Sequence, residues 1–503
     1  MITFINKNID IKKLKMIFIT VLIGMLAAHG YCYFNFAPNG DSLTNIYNNN
    51  FQYYFALGRY FRNVYLLIRG NMELPVLTGF LSIVFLTISV YFLIETLDFN
   101  KKISVIIASL ILVCSSSLTI LNAAYLHDSD AYLFSLMLCS IGTYLLIKHN
   151  KYWLVSVVLY VMSLGIYQAY IGFAIATVLI IYISKFIENN NLKTCIIEFI
   201  KNMFVIGLSL VVYYAIFKII NNVLNLEASG YYQDPANALN FSLNAIADKL
   251  ILTYETTKNW LLNPCTSHAN VIKLINIVIV LAIAILLVLK VLKNQTKTLN
   301  IVLASILFVA YPLGNNFITF LYGSSYEVTL YPLCIIYIFM IYLLDKYEFN
   351  KKIINEICIL FVSIVLFNNA IFSNAIYMQK ELEKESTLFT FARIVNRVEE
   401  TDGYVAGETK VAIIGKLSHS ILNVNRAGLT FDETGINENY LVDYYGTYVY
   451  YLNYYLAYPI NTVSESDANE LRHNDDYVKS LPSFPDKGSV VMHNDTLIIK
   501  LSD

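Results

Sequence analysis

Four groups of residues in this chain have types and spacings that suit chemistry. Asp41 follows directly on an apolar run, within Asn39–Gly40–Asp41–Ser42. A carboxylate at a water–lipid boundary is partly desolvated and can act as a general base; an Asp or Ser at that place can equally cap the next helix. Arg59, Arg62 and Arg69 punctuate the aromatic-rich stretch that begins at Phe51. On one helix these three positions fall within about 80° of one another. Such a cationic stripe at a membrane surface can grip a phosphate through bidentate guanidinium contacts, or it can snorkel beside an aromatic belt. His127, Asp128 and Asp130 cluster within four residues and are expected to lack a basic partner. Asp128 and Asp130 can hold a divalent cation, or Asp130 can cap a helix. Tyr167–Gln168 and Asn315–Asn316 fall at two expected helical hairpins, where they can hydrogen-bond a ligand or pack neighbouring helices. Lys218 and Glu327 read as rim groups and His29 as a packed polar residue.

These groups need elements to hold them, and the composition says which. The chain has 503 residues, 57% hydrophobic and 14% charged, with net charge −1. A soluble domain carries about a quarter charged residues. The chain therefore reads as a protein whose main solvent is lipid. Disorder is excluded, and the lack of a basic field argues against a nucleic-acid partner. No cysteine pair has metal-ligand spacing, so the seven cysteines read as small buried hydrophobes.

Apolar spans predict transmembrane helices at 14–34, 74–97, 103–121, 131–147, 152–166, 168–184, 203–220, 271–289, 299–313, 329–345 and 353–377, about eleven in all. With the Lys-rich N-terminus inside, alternate loops are basic, whereas 122–130 and 314–328 contain no Lys or Arg. Merging 152–184 into one helix would invert every later loop, so the charge pattern supports the split. The first span also has the Lys-rich start of a signal peptide; cleavage would leave the remaining topology unchanged. The polar mass then lies outside, in loops 35–73, 122–130, 221–270 and 314–328 and in the tail. Loop 221–270, with Tyr231–Pro235 and Trp260, reads as an amphipathic flap. The basic loops are too short for a nucleotide-binding domain, and no phosphate-binding glycine motif is present.

The predicted architecture is a polytopic α-helical membrane domain over 1–379 and a small extracytoplasmic α/β domain over 380–503. Residues 380–401 carry a helical apolar repeat. Lys410–Gly415 reads as a buried strand and Asp443–Leu456 as a Tyr-rich helix. Ser489–His493 and Thr496–Leu501 read as strands joined at Asn494–Asp495.

Four segments carry a resemblance. They are the acidic residue after the first helix with Gly58–Arg59 downstream; Asp130–Ala131–Tyr132; Ser163–Leu164–Gly165–Ile166–Tyr167–Gln168–Ala169–Tyr170; and Leu481–Val490 with Asp495–Leu501. Together the chain resembles the serotype-converting O-antigen glucosyltransferases of the Gtr type II family, which are GT-C-like polytopic enzymes of the bacterial cytoplasmic membrane. The resemblance implies a polyprenyl-phosphate-linked sugar, glucose, as donor and a surface polysaccharide or its lipid-linked precursor as acceptor, used on the outer face. Asp41 would then be the base, Arg59, Arg62 and Arg69 would hold the donor phosphate, and Asp130 would orient substrate or a cation. Tyr167, Gln168, Asn315 and Asn316 would meet sugar hydroxyls. One departure is Ser324–Pro332, which lacks an expected basic residue before the Pro. The rivals are a polymerase of lipid-linked repeats and a polysaccharide flippase. The latter should carry paired charges within its helices.

Overall fold

The computed structural model describes residues 9–47, 51–226, 242–347, 352–417, 441–442 and 444–503. The chain forms two compact units. The first comprises Met1–Phe34, Asn50–Asn122 and His127–Asn374; the second comprises Asn35–Asn49, Ala123–Leu126 and Ala375–Asp503. Asp41 thus belongs to the same unit as the C-terminal tail.

Among the described residues, ten helices are long and apolar enough to cross a membrane. They match ten of the eleven expected spans. The eleventh is the helix Trp153–Leu164, of 12 residues. At 1.5 Å per residue it is about 18 Å long, against a hydrocarbon core of about 30 Å. The expected break after it is present: the chain leaves the helix at Gly165 and re-forms a turn at Gln168–Tyr170 before Ile171–Ile187. In that last helix every residue but Lys185 is buried, as its all-round apolar sequence requires. It packs against Thr298–Asn315. Two glycines allow the approach. A Cβ on Gly172 would come within 2.8 Å of the Asn315 carbonyl, and one on Gly314 within 2.5 Å of Leu179.

Two boundaries differ from expectation. The predicted loop 122–130 is largely helical, because Ser116–Ala124 and Leu126–Lys148 meet with one residue between them. Ser129 Oγ donates to Asn122 Oδ1 at 2.5 Å across that corner. The boundary drawn at 379/380 falls inside one continuous helix, Lys352–Glu399. Its 48 residues span about 70 Å, more than twice a hydrocarbon core. Polar residues after Gln379 mark a change of surroundings, which a helix can cross without ending. The segment Tyr231–Pro235 of the expected flap, and Asp443, lie outside the described residues; Trp260 is on the helix Leu243–Leu262.

In the second unit, β1 (Lys410–Ile414), β2 (Asn461–Thr462), β3 (Val490–His493) and β4 (Thr496–Lys500) form a sheet of order β2-β1-β4-β3. β1 runs parallel to β2 and β4, and β3 pairs antiparallel with β4. The hairpin turn at Asn494–Asp495 has both φ angles positive, 45° and 60°, the geometry that tight two-residue turns favour. Val411, Ile413, Leu497 and Ile499 face Phe391, Ile394, Val398, Tyr448 and Tyr451. Ala412, Ile414 and Ile498 face Ala468 and Val478. Both faces are covered, so the strands read as unbroken apolar runs. Tyr445–Tyr450 is helical as expected, whereas β2 and the helices Glu465–Asn474 and Asp476–Ser480 were not legible in the sequence.

Gly165 positions the start of the helix Tyr60–Arg69. Its carbonyl accepts the backbone N–H groups of Phe61 (2.8 Å) and Arg62 (3.3 Å). A Cβ there would lie 2.6 Å from Phe61 and 2.7 Å from Tyr60. Gly165→Ala should therefore destabilise the protein by about 1–3 kcal/mol. Gly207→Ala, where a Cβ meets nothing within 4 Å, is the control. Thermal unfolding in detergent reads both; equal midpoints would show that the contact is not tight.

Candidate active site

The helix Tyr60–Arg69 has an inverted polarity. Arg62, Asn63 and Leu66 are buried, while Val64, Leu67 and Ile68 are 48%, 73% and 85% exposed. An apolar face turned outward suits lipid, and the cationic face turns into the protein. The three arginines do not form one exposed stripe. Arg59 precedes the helix, in a turn whose Gly58 has φ +72°, and Arg62 and Arg69 point inward.

There they meet the carboxylates. Arg62 Nε lies 2.9 and 2.8 Å from the two oxygens of Asp128, and Nη2 lies 2.7 Å from Oδ1. Both residues are 1% exposed. The Tyr54 ring lies 3.4 Å from the Arg62 guanidinium carbon. Burial lowers the pKa of Arg62, but the Asp128 charge more than offsets this and the net shift is upward. One helical turn pair further on, Arg69 Nε lies 3.0 Å from Asp130 Oδ2 and Nη2 lies 3.2 Å from Oδ1. Arg69 also donates to the carbonyls of Met72 and His127. Tyr65 donates its hydroxyl to Asp130 Oδ2 at 2.7 Å. Burial, then the Asp130 charge, raises the pKa of Tyr65.

The expectation that Asp128 and Asp130 lack a basic partner is thus overturned. Their partners lie about 60 residues away in sequence, so only folding brings them together. A cation site does not fit this donor set. Each carboxylate already faces a guanidinium group, which repels a second cation, and no group of three His, Cys, Asp or Glu among the described residues can hold a metal ion. Asp130 is the fifth residue of the helix Leu126–Lys148, past its first turn, so it is not the residue that precedes and caps it.

Gly58–Arg59 of the first segment converges here with Asp130–Tyr132 and Ser163–Tyr170, whereas Asp41 belongs to the other unit. Arg59 Nη1 donates to the Tyr132 hydroxyl at 2.9 Å. Its guanidinium carbon is 5.9 Å from the Tyr132 ring centre and 5.4 Å from that of Tyr167. Those two rings stack with centres 4.0 Å apart. Gln168 is 5% exposed and donates to the Leu57 carbonyl and the Tyr213 hydroxyl, both at 2.8 Å, which fixes the turn before Arg59. Its amide therefore holds protein. Asn315 and Asn316 are buried elsewhere in this unit, and Asn316 Nδ2 reaches Thr257 and the Thr253 carbonyl. In the second unit, Asp41 occupies the first turn of the helix Gly40–Tyr47. The cap is Asn39: Oδ1 accepts from Ser42 N–H at 2.9 Å and Nδ2 donates to the Ala124 carbonyl at 2.7 Å. The capping role proposed for Asp41 is filled by another residue.

Sequence reasoning missed Tyr54 and Tyr65. A signal for Tyr65 existed: Arg62, Tyr65 and Arg69 share one helix face by their spacing of three and seven.

Ten long apolar helices among the described residues suggest a multi-pass membrane protein. The family model for glucosyl transferase GtrII matches residues 30–344, more than half of the chain, and the chain belongs to that family. By family it is a glycosyltransferase. The match contains the three converging segments and stops short of the fourth, Leu481–Leu501. No curated protein and no solved structure matches the chain.

Asp128→Asn leaves Arg62 buried without its counter-charge and should cost about 3–5 kcal/mol. The double variant Arg62→Met with Asp128→Leu removes both charges and should recover most of that loss. Calorimetry or fluorescence-detected unfolding checks this; additive losses would show that the pair is not coupled.

Proposed function

We propose that this protein is an integral-membrane glycosyltransferase of GT-C type. It moves a sugar, glucose, from a polyprenyl-phosphate donor to a surface polysaccharide or its lipid-linked precursor on the outer face of the cytoplasmic membrane. Membership of the glucosyl transferase GtrII family over residues 30–344 carries the reading. The alternation of Lys-rich and Lys-free loops supports an inside N-terminus and an extracytoplasmic tail domain. The absence from the sequence of a glycine-rich phosphate loop supports a lipid-linked rather than a nucleotide donor.

Within this reading the arginines have different roles. Arg62 and Arg69, each held by a carboxylate, set the place of the helix between them. Arg59, on the Tyr132–Tyr167 stack, stabilises the lipid phosphate as negative charge builds on it. Asp41 takes the proton from the acceptor hydroxyl as that oxygen attacks the anomeric carbon and the sugar–phosphate bond breaks. Asn39 supplies the helix cap, so Asp41→Asn should leave the fold intact and lower transfer about 10²–10⁴-fold. Transfer is read with polyprenyl-phosphate-linked glucose and a lipid-linked glycan. Near-normal transfer removes Asp41 as base. Surface glycan composition with and without the protein tests the reaction itself: an added hexose supports it, and a change of chain length without a new sugar favours a polymerase.

Reporter fusions after Asn100 and after Lys380 test the orientation. The first should report cytoplasm and the second the outer compartment; a cytoplasmic signal at Lys380 overturns the topology.

A further inference from the structure

The second unit contains a crevice that the proposed transfer reaction does not use. It has a volume of about 440 Å³ and is lined by Ile414, Val478, Arg472, His473, Lys479, Lys500 and Asp503. Ile414 and Lys500 are the last residues of β1 and β4. These neighbours run parallel, so the crevice lies outside the carboxyl ends of two parallel strands. From β1 the chain passes to β2 on one side of the sheet, whereas β4 lies on the other. In open α/β sheets ligands bind outside the carboxyl ends of such strands.

The lining is cationic. Arg472, Lys479 and Lys500 line it together with one carboxylate, Asp503. Lys500 is 2% exposed, although it ends a strand that is otherwise apolar. Its Nζ donates to the Lys479 carbonyl at 2.8 Å and pairs with Asp503 Oδ1 at 2.7 Å. Arg472 donates to the Asp503 backbone carbonyl. Lys479 reaches outward to Asp476 at 2.9 Å. A buried ammonium group is costly unless an anion meets it. The anion that does so here is on a side chain 92% exposed, three residues along the chain. Lys500 holds the Asp503 carboxyl below the usual carboxylate range, so Asp503 is a charged occupant. Because the Asp503 side chain lies in solvent, a ligand anion can take its place beside the buried ammonium.

We propose that this crevice binds an anionic sugar group, a carboxylate or phosphate carried on a saccharide, and that Asp503 occupies the anion position in its absence. The volume is of the size that small-molecule sites have, about 300–1,000 Å³, which takes a sugar ring as well as its charged group. The saccharide assignment rests on the glycosyltransferase reading. The anion site rests on the crevice itself.

The test is equilibrium binding to the full-length protein in detergent, with no donor present, using glucuronate, glucose 6-phosphate, glucose and inorganic phosphate. The two charged sugars should bind and glucose should not. Asp503→Asn removes the competing carboxylate and should tighten the charged sugars about threefold to tenfold. Arg472→Gln, at a half-exposed position, should weaken them about tenfold. A gain of affinity cannot come from misfolding. Binding unchanged by both variants, or glucose binding as well as glucuronate, overturns the site. Inorganic phosphate binding as tightly as glucose 6-phosphate overturns the saccharide part. Loss of transfer in Asp41→Asn bears on the transfer reaction alone, since this measurement reads no transfer.

Discussion

The first unit depends on one constraint: two guanidinium groups and two carboxylates are withdrawn from water and must satisfy each other. Each ion costs several kcal/mol to bury, and only close, multiply hydrogen-bonded geometry offsets that. Arg62 with Asp128 and Arg69 with Asp130 provide it, at 2.7–3.2 Å. The pairs bind the short helix Tyr60–Arg69 to the start of Leu126–Lys148, at its third and fifth residues. Two points set both position and rotation. They explain why the helix turns its apolar face outward, with Ile68 85% exposed.

Other features follow from that placement. With the helix fixed, Arg59 at its start is brought to Tyr132, six residues into the partner helix. The Gly165 carbonyl and the Gln168 amide then close the turn from the other side. The same pairs remove Asp128 and Asp130 as cation ligands, since their charge is already matched. A flippase should carry charged pairs within its helices. Here the pairs join a short helix to the N-terminal end of a long one, which suits a fixed scaffold.

The second unit uses different physics. Its sheet is small, and each strand is stabilised by apolar cover on both faces, with Phe391 and Ile394 from the long helix on one side and Ala468 and Val478 on the other. Gly415 has φ +76°, and a Cβ there would come within 2.4 Å of the Ser502 carbonyl, so the strand end must be glycine for the tail to lie beside it. That tail carries Asp503 to Lys500 and Arg472.

The sequence by itself determined the helices and most of the strands. Ten spans, the break near Gly165, the strand at Lys410–Ile414 and the hairpin at Asn494–Asp495 are local properties, set by runs of apolar residues and by turn-prone pairs. It also picked out Arg59, Arg62, Asp128, Asp130, Tyr167 and Gln168 as residues of interest, because polar groups are few in so apolar a chain. The tertiary structure decided what each of them touches. Asp128 has no basic neighbour in sequence and a buried arginine in space; Gln168 resembles a ligand contact and holds a backbone carbonyl; Asp41 resembles a cap, and Asn39 is the cap. The long helix Lys352–Glu399 passes through the composition change at Gln379 without a break. The reason is common to all of these. Hydrophobic periodicity acts over a few residues and is written along the chain, whereas charge pairing acts between atoms about 3 Å apart, and only the fold sets which atoms those are.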